Sequence, residues 1–248
     1  MFTSKTLSFL RSLKRNNKRE WFHARKDKYE LYCRQPMLEI VQRLGEDFPA
    51  FAPEMIAHPK VSPLRPYRDT RFSDDKTPLK IHVGATFPHR ELGRMNGAWF
   101  YFEVAGGWVW IGGGMWRPDT SQLQLVREHI ADNLDEFEKI VSAPRFRKLG
   151  GLKGERLTRV PRGFAKDHPA ADFLQYRQFM AYREEAADFA TSKNFYSNLR
   201  STFETITPLV RFLNEPLLAS METGRRATIF GDLSRTARGE EEEYSAAS

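Results

Sequence analysis

Three arginines, two lysines and three aspartates fall within sixteen residues, Arg65-Pro66-Tyr67-Arg68-Asp69-Thr70-Arg71-Phe72-Ser73-Asp74-Asp75-Lys76-Thr77-Pro78-Leu79-Lys80. A guanidinium is always charged and presents five donors in a planar fork. Three forks this close need acidic partners, an anionic ligand or open water. On a helical turn, Arg65, Arg68 and Arg71 share one face. In an extended chain, Arg65, Asp69 and Arg71 share a side and Arg68 faces away. Like charges ~5–6 Å apart repel by roughly 3 kcal/mol at an effective dielectric near 20. Asp69, Asp74 and Asp75 offset part of that. A phosphate or carboxylate gripped by two forks would offset more. The segment is therefore an anion site, an ion network that pins a Pro-rich loop to a sheet, or a solvated loop.

Other groups could join such chemistry. Lys80 and His82 stand on one face of the strand-like run that follows, and Trp99 and Glu103 hold equivalent places in the next strand. A cleft lined by His82, Trp99, Glu103 and Trp116 beside the arginines would have the parts for acid–base work on an anionic substrate. The plainer alternative is a packed or solvated histidine. Gly112-Gly113-Gly114 precedes a helix and could admit an anion to backbone N–H groups, but a bulge or tight chain crossing is the simpler role. Arg162 and His168 lie on a loop, Pro161-Arg162-Gly163-Phe164 followed by Asp167-His168-Pro169. They join Arg65, Arg68, Asp69, Arg71, Lys76 and Lys80 as candidate anion-binding residues, with capping by Asp167 as the bland alternative. The chain lacks a Walker loop, a dinucleotide fingerprint, H-E-x-x-H, G-x-S-x-G and C-x-x-C. Its six histidines show no ligand spacing, so no metal site is expected. No residue is assigned a catalytic role and no cofactor is named.

These groups need elements to position them. Leu7, Phe9, Leu10 and Leu13 keep helical spacing after Thr3 and Ser4, and Asn16-Asn17 ends the run. A second helix is expected from Lys18 to about Tyr32, and Pro36 kinks it or starts another that runs to about Phe48. Five prolines between 49 and 66 mark a connection. Leu79 to Phe87 reads as a strand. Residues 98–105 and 108–112 form the clearest hairpin, turning at Gly106-Gly107, with Phe100, Phe102, Val104, Val109 and Ile111 on the core face. Asp119, with Gln122 three residues on, caps a long helix striped by Leu123, Val126, Ile130 and Leu134. Leu157 to Val160 reads as a short strand, Pro169 as the first position of a short helix, and Gln178 to Glu184 as another strand. Thr191 is expected to cap the final helix, which carries Phe195, Leu199, Phe203, Ile206 and Leu209.

The pattern is one α+β domain over residues 1–219, a mostly antiparallel sheet with a Trp/Phe-rich hairpin, flanked by N-terminal, central and C-terminal helices. Residues 220–248 read as a disordered tail with an acidic run at 240–243. The chain of 248 residues carries a formal charge of +7, and a basic body favours acidic partners. One cysteine, Cys33, excludes an internal disulfide and any multi-Cys metal site. No eighteen-residue apolar run and no signal-like N-terminus are present, so no membrane span is expected and a cytoplasmic location is the default.

Arg65-x-x-Arg68-Asp69-x-Arg71-Phe72-x-x-Asp75-Lys76 resembles the signature of domain-of-unknown-function family 2461, found in bacteria and fungi. Asn16-Asn17-x-x-x-Trp21-Phe22, the Gly112–Gly114 run and the 161–169 loop resemble its recurring blocks. The resemblance covers about residues 2–218. The family pattern has Tyr three residues after the Lys, where this chain has Leu79. The resemblance implies an α+β domain and motif positions, but no activity.

Three functions are open on these grounds. The first is an enzyme or binding protein for a small anionic or phosphorylated compound. The second is a nucleic-acid module using the basic aromatic surface. The third is a structural or partner-binding protein in which the Arg–Asp cluster staples the fold. The oligomeric state is not encoded in any pattern found.

Overall fold

A computed structural model describes residues 1–71, 73–93 and 96–245, with side chains through Thr223. Its centre is an antiparallel sheet of β1 (His82–Phe87), β2 (Trp99–Ala105), β3 (Trp108–Met115) and β4 (Phe179–Ala186), in that spatial order. Helices α1 (Ser4–Arg15), α2 (Arg19–His23), α3 (Lys26–Tyr29) and α4 (Gln35–Phe51) precede it. Helices α5 (Thr120–Asp132), α6 (Leu134–Ser142), α7 (Pro144–Lys148) and α8 (Ala171–Leu174) lie between β3 and β4, and α9 (Phe195–Ser245) closes the chain. The expected tail at 220–248 falls mostly outside the residues whose side chains are described, and 246–248 lie outside the described residues altogether.

The register sorts the sheet into two unlike faces. Val83, Ala85 and Phe87 share a face with Phe102, Phe100, Val104, Val109 and Ile111. These side chains are almost wholly buried. They pack against α9, where the Phe203 ring stacks on Phe100 at 4.9 Å and meets Phe87 edge-on at 5.5 Å. Gly113 lets that helix approach: a Cβ there would sit 2.6 Å from the Trp99 carbonyl and 2.9 Å from Ile206. Asn214 of α9 holds the start of β2 by accepting from Ala98 N–H at 2.6 Å and donating to its carbonyl at 3.0 Å. Both bonds are buried, so each contributes more than an exposed one. The other face carries His82, Gly84, Thr86, Trp99, Tyr101, Glu103, Trp108, Trp110, Tyr182 and Glu184.

Several boundaries depart from the sequence reading. The run expected as one helix from Lys18 to Tyr32 is α2, α3 and a π-helical turn, Glu30–Arg34, which leads into α4 with Pro36 in its first turn. Pro36 has no N–H to donate, and it falls where the π-helical turn passes into α4. The strand expected from Leu79 begins only at His82, while Leu79 pairs with Tyr67 in an isolated bridge. Gly112 to Gly114 do not end β3; they lie inside it, paired on both sides, and α5 starts later. Residues 157–160 form no strand; instead Lys153 bridges Met180. The short helix begins at Ala171 rather than Pro169. Thr191 ends a 3₁₀ turn, Ala187–Thr191, and α9 starts beyond it. The Asp119 cap is as expected: its carboxylate accepts from Gln122 N–H at 2.9 Å and the Gln122 amide oxygen accepts from Asp119 N–H at 3.2 Å.

The Pro-rich connection becomes an irregular edge to the sheet. Leu64 N–H donates to the Gly84 carbonyl at 2.8 Å and Thr86 N–H to the Ser62 carbonyl at 2.9 Å. Proline suits an edge, where its missing N–H leaves no ladder bond unmade.

Candidate functional site

The arginine segment continues from that edge. Arg68 N–H donates to the Pro78 carbonyl and Lys80 N–H to the Pro66 carbonyl, so the segment leaves and returns along one narrow ladder. Its side chains are committed locally. The half-buried Arg68 donates to Asp75, to Thr77 Oγ1 at 2.6 Å and to Ser73 Oγ at 3.4 Å. Thr77 in turn donates to Asp75 through its N–H and its hydroxyl. Arg71 places Nε and Nη2 on the two oxygens of Asp69, at 3.0 and 2.7 Å. Lys76 Nζ donates to the Thr70 carbonyl and Lys80 Nζ to the Arg65 carbonyl. The Arg71 hydrogen bond holds the Asp69 carboxyl down to about 2, and the Arg68 bond does the same for Asp75.

A second block anchors this segment from behind. The Asn17 amide donates to the Leu79 carbonyl at 2.8 Å and accepts from Leu79 N–H at 3.0 Å. Phe22 meets the Tyr67 ring at 5.9 Å, and His23 Nε2 lies 3.1 Å from the Tyr67 hydroxyl. The asparagine–Trp-Phe block and the arginine block, 40 or more residues apart in sequence, thus form one unit.

The open sheet face lies on the other side of this edge and holds a cleft of about 570 Å³. Leu64, Thr86, Trp99, Tyr101, Glu103, Trp110, Trp116, Met180, Tyr182 and Glu184 line it. The rings form a connected wall: Trp99 to Tyr101 edge-on at 5.8 Å, Tyr101 to Trp110 at 5.5 Å, and Trp110 stacked on Tyr182 at 4.8 Å. Alternation places them there, since residues two apart on β2 and β3 point the same way. Gly112 completes the arrangement. A Cβ there would collide with Tyr182 and the Ala181 carbonyl, so only glycine lets β4 come this close.

Glu103 sits at the head of the cleft. It accepts from the Tyr101 hydroxyl at 2.5 Å and from Trp108 Nε1 at 2.9 Å. His82 Nε2 stands 3.2 Å from the same carboxylate. Burial pushes the His82 ring below its ordinary value, more strongly than the Glu103 charge raises it, and Lys80 adds to the lowering. Burial beside Glu103 drives the Tyr101 phenol far up, which keeps it a donor. Two polar atoms in the cleft's walls, Thr86 Oγ1 and Trp99 Nε1, are buried with no hydrogen-bond partner among the described residues. At the rim, Arg117 adopts a left-handed backbone at φ 51°, and its guanidinium lies 5.5 Å from the exposed Trp116 ring. A non-glycine residue held there costs of order 1–3 kcal/mol.

The structure brings His82, Trp99, Glu103 and Trp116 to one face. It groups Arg65, Arg68, Asp69, Arg71, Lys76 and Lys80 along the adjoining edge. Arg162 and His168 stand apart: among the described residues no hydrogen bond or ion pair joins either to 65–80, and His168 Nδ1 accepts from Ala170 N–H. Trp110, Tyr182, Glu184 and Thr86 escaped the sequence reading. Their signal was present as period-two alternation, but which strands paired, and in what register, was not.

A model of a family described as "Conserved hypothetical protein (DUF2461)" matches residues 5–212. No curated protein and no solved structure matches the chain. The matched span includes both the arginine segment and every residue that lines the cleft.

Proposed function

The chain belongs to the DUF2461 family, and for it we propose the role of a small-molecule binding protein whose ligand seats in the aromatic cleft, with the arginine segment stapling the cleft's edge. One observation carries the reading: the cleft is open, lined by five aromatic rings brought together from separate strands, and has the Glu103 carboxylate at its head. The volume is in the range of small-molecule sites. The half-buried Arg68 supports the staple, since its fork ties Asp75, Thr77 and Ser73 across the segment. Glu103, with Tyr101 as a hydrogen-bond donor and His82 beside it, would orient the ligand's polar end.

The test is a ligand-observed NMR screen of ring-bearing fragments against the wild type, Trp116→Ala and Arg71→Ala. Trp116 is 43% exposed, so its loss spares the core. Hits should weaken severalfold in Trp116→Ala and bind unchanged in Arg71→Ala. Hits indifferent to Trp116 would place binding elsewhere and end this reading.

A second reading keeps a small anion at the arginine segment, with Arg65, Arg68, Asp69, Arg71, Lys76 and Lys80 as its frame. It is favoured by Arg65, whose exposed guanidinium hydrogen-bonds nothing among the described residues. Inorganic phosphate should then raise the melting temperature of the wild type and not of Arg65→Ala; no shift in the wild type would remove it.

A further inference from the structure

The lining of the cleft has a sign. It contains five aromatic rings and two glutamates, and no lysine, arginine or histidine. The protein around it carries a formal charge of +7, so the cleft is an anionic island on a basic body. Aromatic faces are negative by their quadrupole and attract cations, and Trp is the strongest of them. The side chain of Glu103 is only 16% exposed, so solvent screens its charge little. Tyr101 and Trp108 use one acceptor site on each of its oxygens, His82 Nε2 stands 3.2 Å from the oxygen that Tyr101 bonds, and a carboxylate has about four sites, so Oε1 keeps one open. Glu184 extends the negative lining on β4, paired across from Trp110. The wall already accepts one cation: Lys153 Nζ lies 4.0 Å from the centre of the Tyr182 ring.

Resting on the cleft being the ligand site, we infer that its occupant presents an organic ammonium, an alkylated amine whose charge sits against Tyr101 and Trp110 with Glu103 as counter-ion, since the Tyr182 ring is already taken by Lys153 on one face and Trp110 on the other. An alkylated ammonium suits this lining better than an inorganic cation. Its alkyl groups displace water from the rings while its diffuse charge needs no oxygen cage. An anionic group would meet Glu103 and Glu184 with like charge, and the nearest cations, Lys153 and Arg117, are already engaged on the Tyr182 and Trp116 rings.

The experiment is calorimetric titration of choline and of its neutral isostere 3,3-dimethylbutan-1-ol into the wild type, Glu103→Gln and Glu184→Gln at low salt. Choline should bind at least about tenfold more tightly than the isostere, a difference of about 1.4 kcal/mol. Glu103→Gln should lose most of that preference and Glu184→Gln part of it. Glu184 is exposed, so its variant reports charge without risk to folding. Equal binding of choline and isostere would overturn the cation inference and leave the cleft as a neutral apolar site. Absence of choline binding while ring fragments still seat against Trp116 would also overturn it alone. If neither choline nor any fragment binds the cleft, this inference and the binding role fall together.

Discussion

The arginine segment and the aromatic cleft share an edge of the sheet and follow opposite rules. Residues 65–80 are dense in charge, and the charges of Arg68, Asp69, Arg71, Asp75, Lys76 and Lys80 are answered at short range by the segment's own carboxylates, hydroxyls and carbonyls. The cleft draws its residues from four strands and the edge beside them, carries two carboxylates, and leaves polar atoms unmet. Conspicuous charge in a sequence is often charge that has already found its partner nearby. Capacity for a ligand lies instead where the fold brings groups from separate strands together around open space.

That contrast can be broken by experiment, and the largest effect belongs to the cleft's floor. Gly112→Val should lower stability by about 3 kcal/mol, because the new side chain collides with Tyr182 and strand β4. Denaturant unfolding measures this, and wild-type stability would deny the close strand approach. Asn17→Ala should cost about 1–2 kcal/mol, since it strips both backbone bonds from the buried Leu79. In that variant the amide of Leu79 should lose protection from hydrogen exchange.

Acid provides the next contrast. His82 in the folded protein titrates below its ordinary 6.5. As pH falls below 6.5 the unfolded chain takes up that proton first, so stability declines until the folded ring is protonated too. His89, also lowered by burial, contributes in the same direction. His82→Asn should therefore flatten the fall in melting temperature between pH 6.5 and 5, and an unchanged slope would remove His82 from the account. Smaller still is Arg68→Ala, which should cost about 1 kcal/mol or less because its partner Asp75 is exposed. Its coupling with Asp75→Ala in a double-mutant cycle measures the staple directly. Arg71→Ala should change little, as its pair with Asp69 is exposed and joins residues only two apart.

Much of this was legible in the chain itself. Alternation gave both faces of the hairpin, and Asp119 with Gln122 gave the start of α5, because these are signals within a few residues. The grouping of the arginine block was legible for the same reason. What could not be read depends on distant partners. Asn17 looked like a helix terminator, and its bonds to Leu79 span 62 residues. Gly112 to Gly114 looked like a strand's end, yet the two neighbouring strands each crowd the run from one side. Trp110 and Tyr182 meet only because β3 and β4 pair across the 63 residues, 116–178, of helix and loop between their nearest ends in the chain. Register across such gaps is fixed by the core against α9, which no local pattern specifies.

The most direct test is to follow the indole N–H resonances of the five tryptophans by NMR while choline is added to the wild type and to Arg68→Ala. Trp99, Trp110 and Trp116 line the cleft, Trp108 bonds to Glu103, and Trp21 sits against Arg25 on the helical side. The account predicts saturable shifts at the cleft tryptophans, none at Trp21, and the same titration curve in Arg68→Ala. Still cleft resonances, or shifts that vanish in a folded Arg68→Ala, would contradict it.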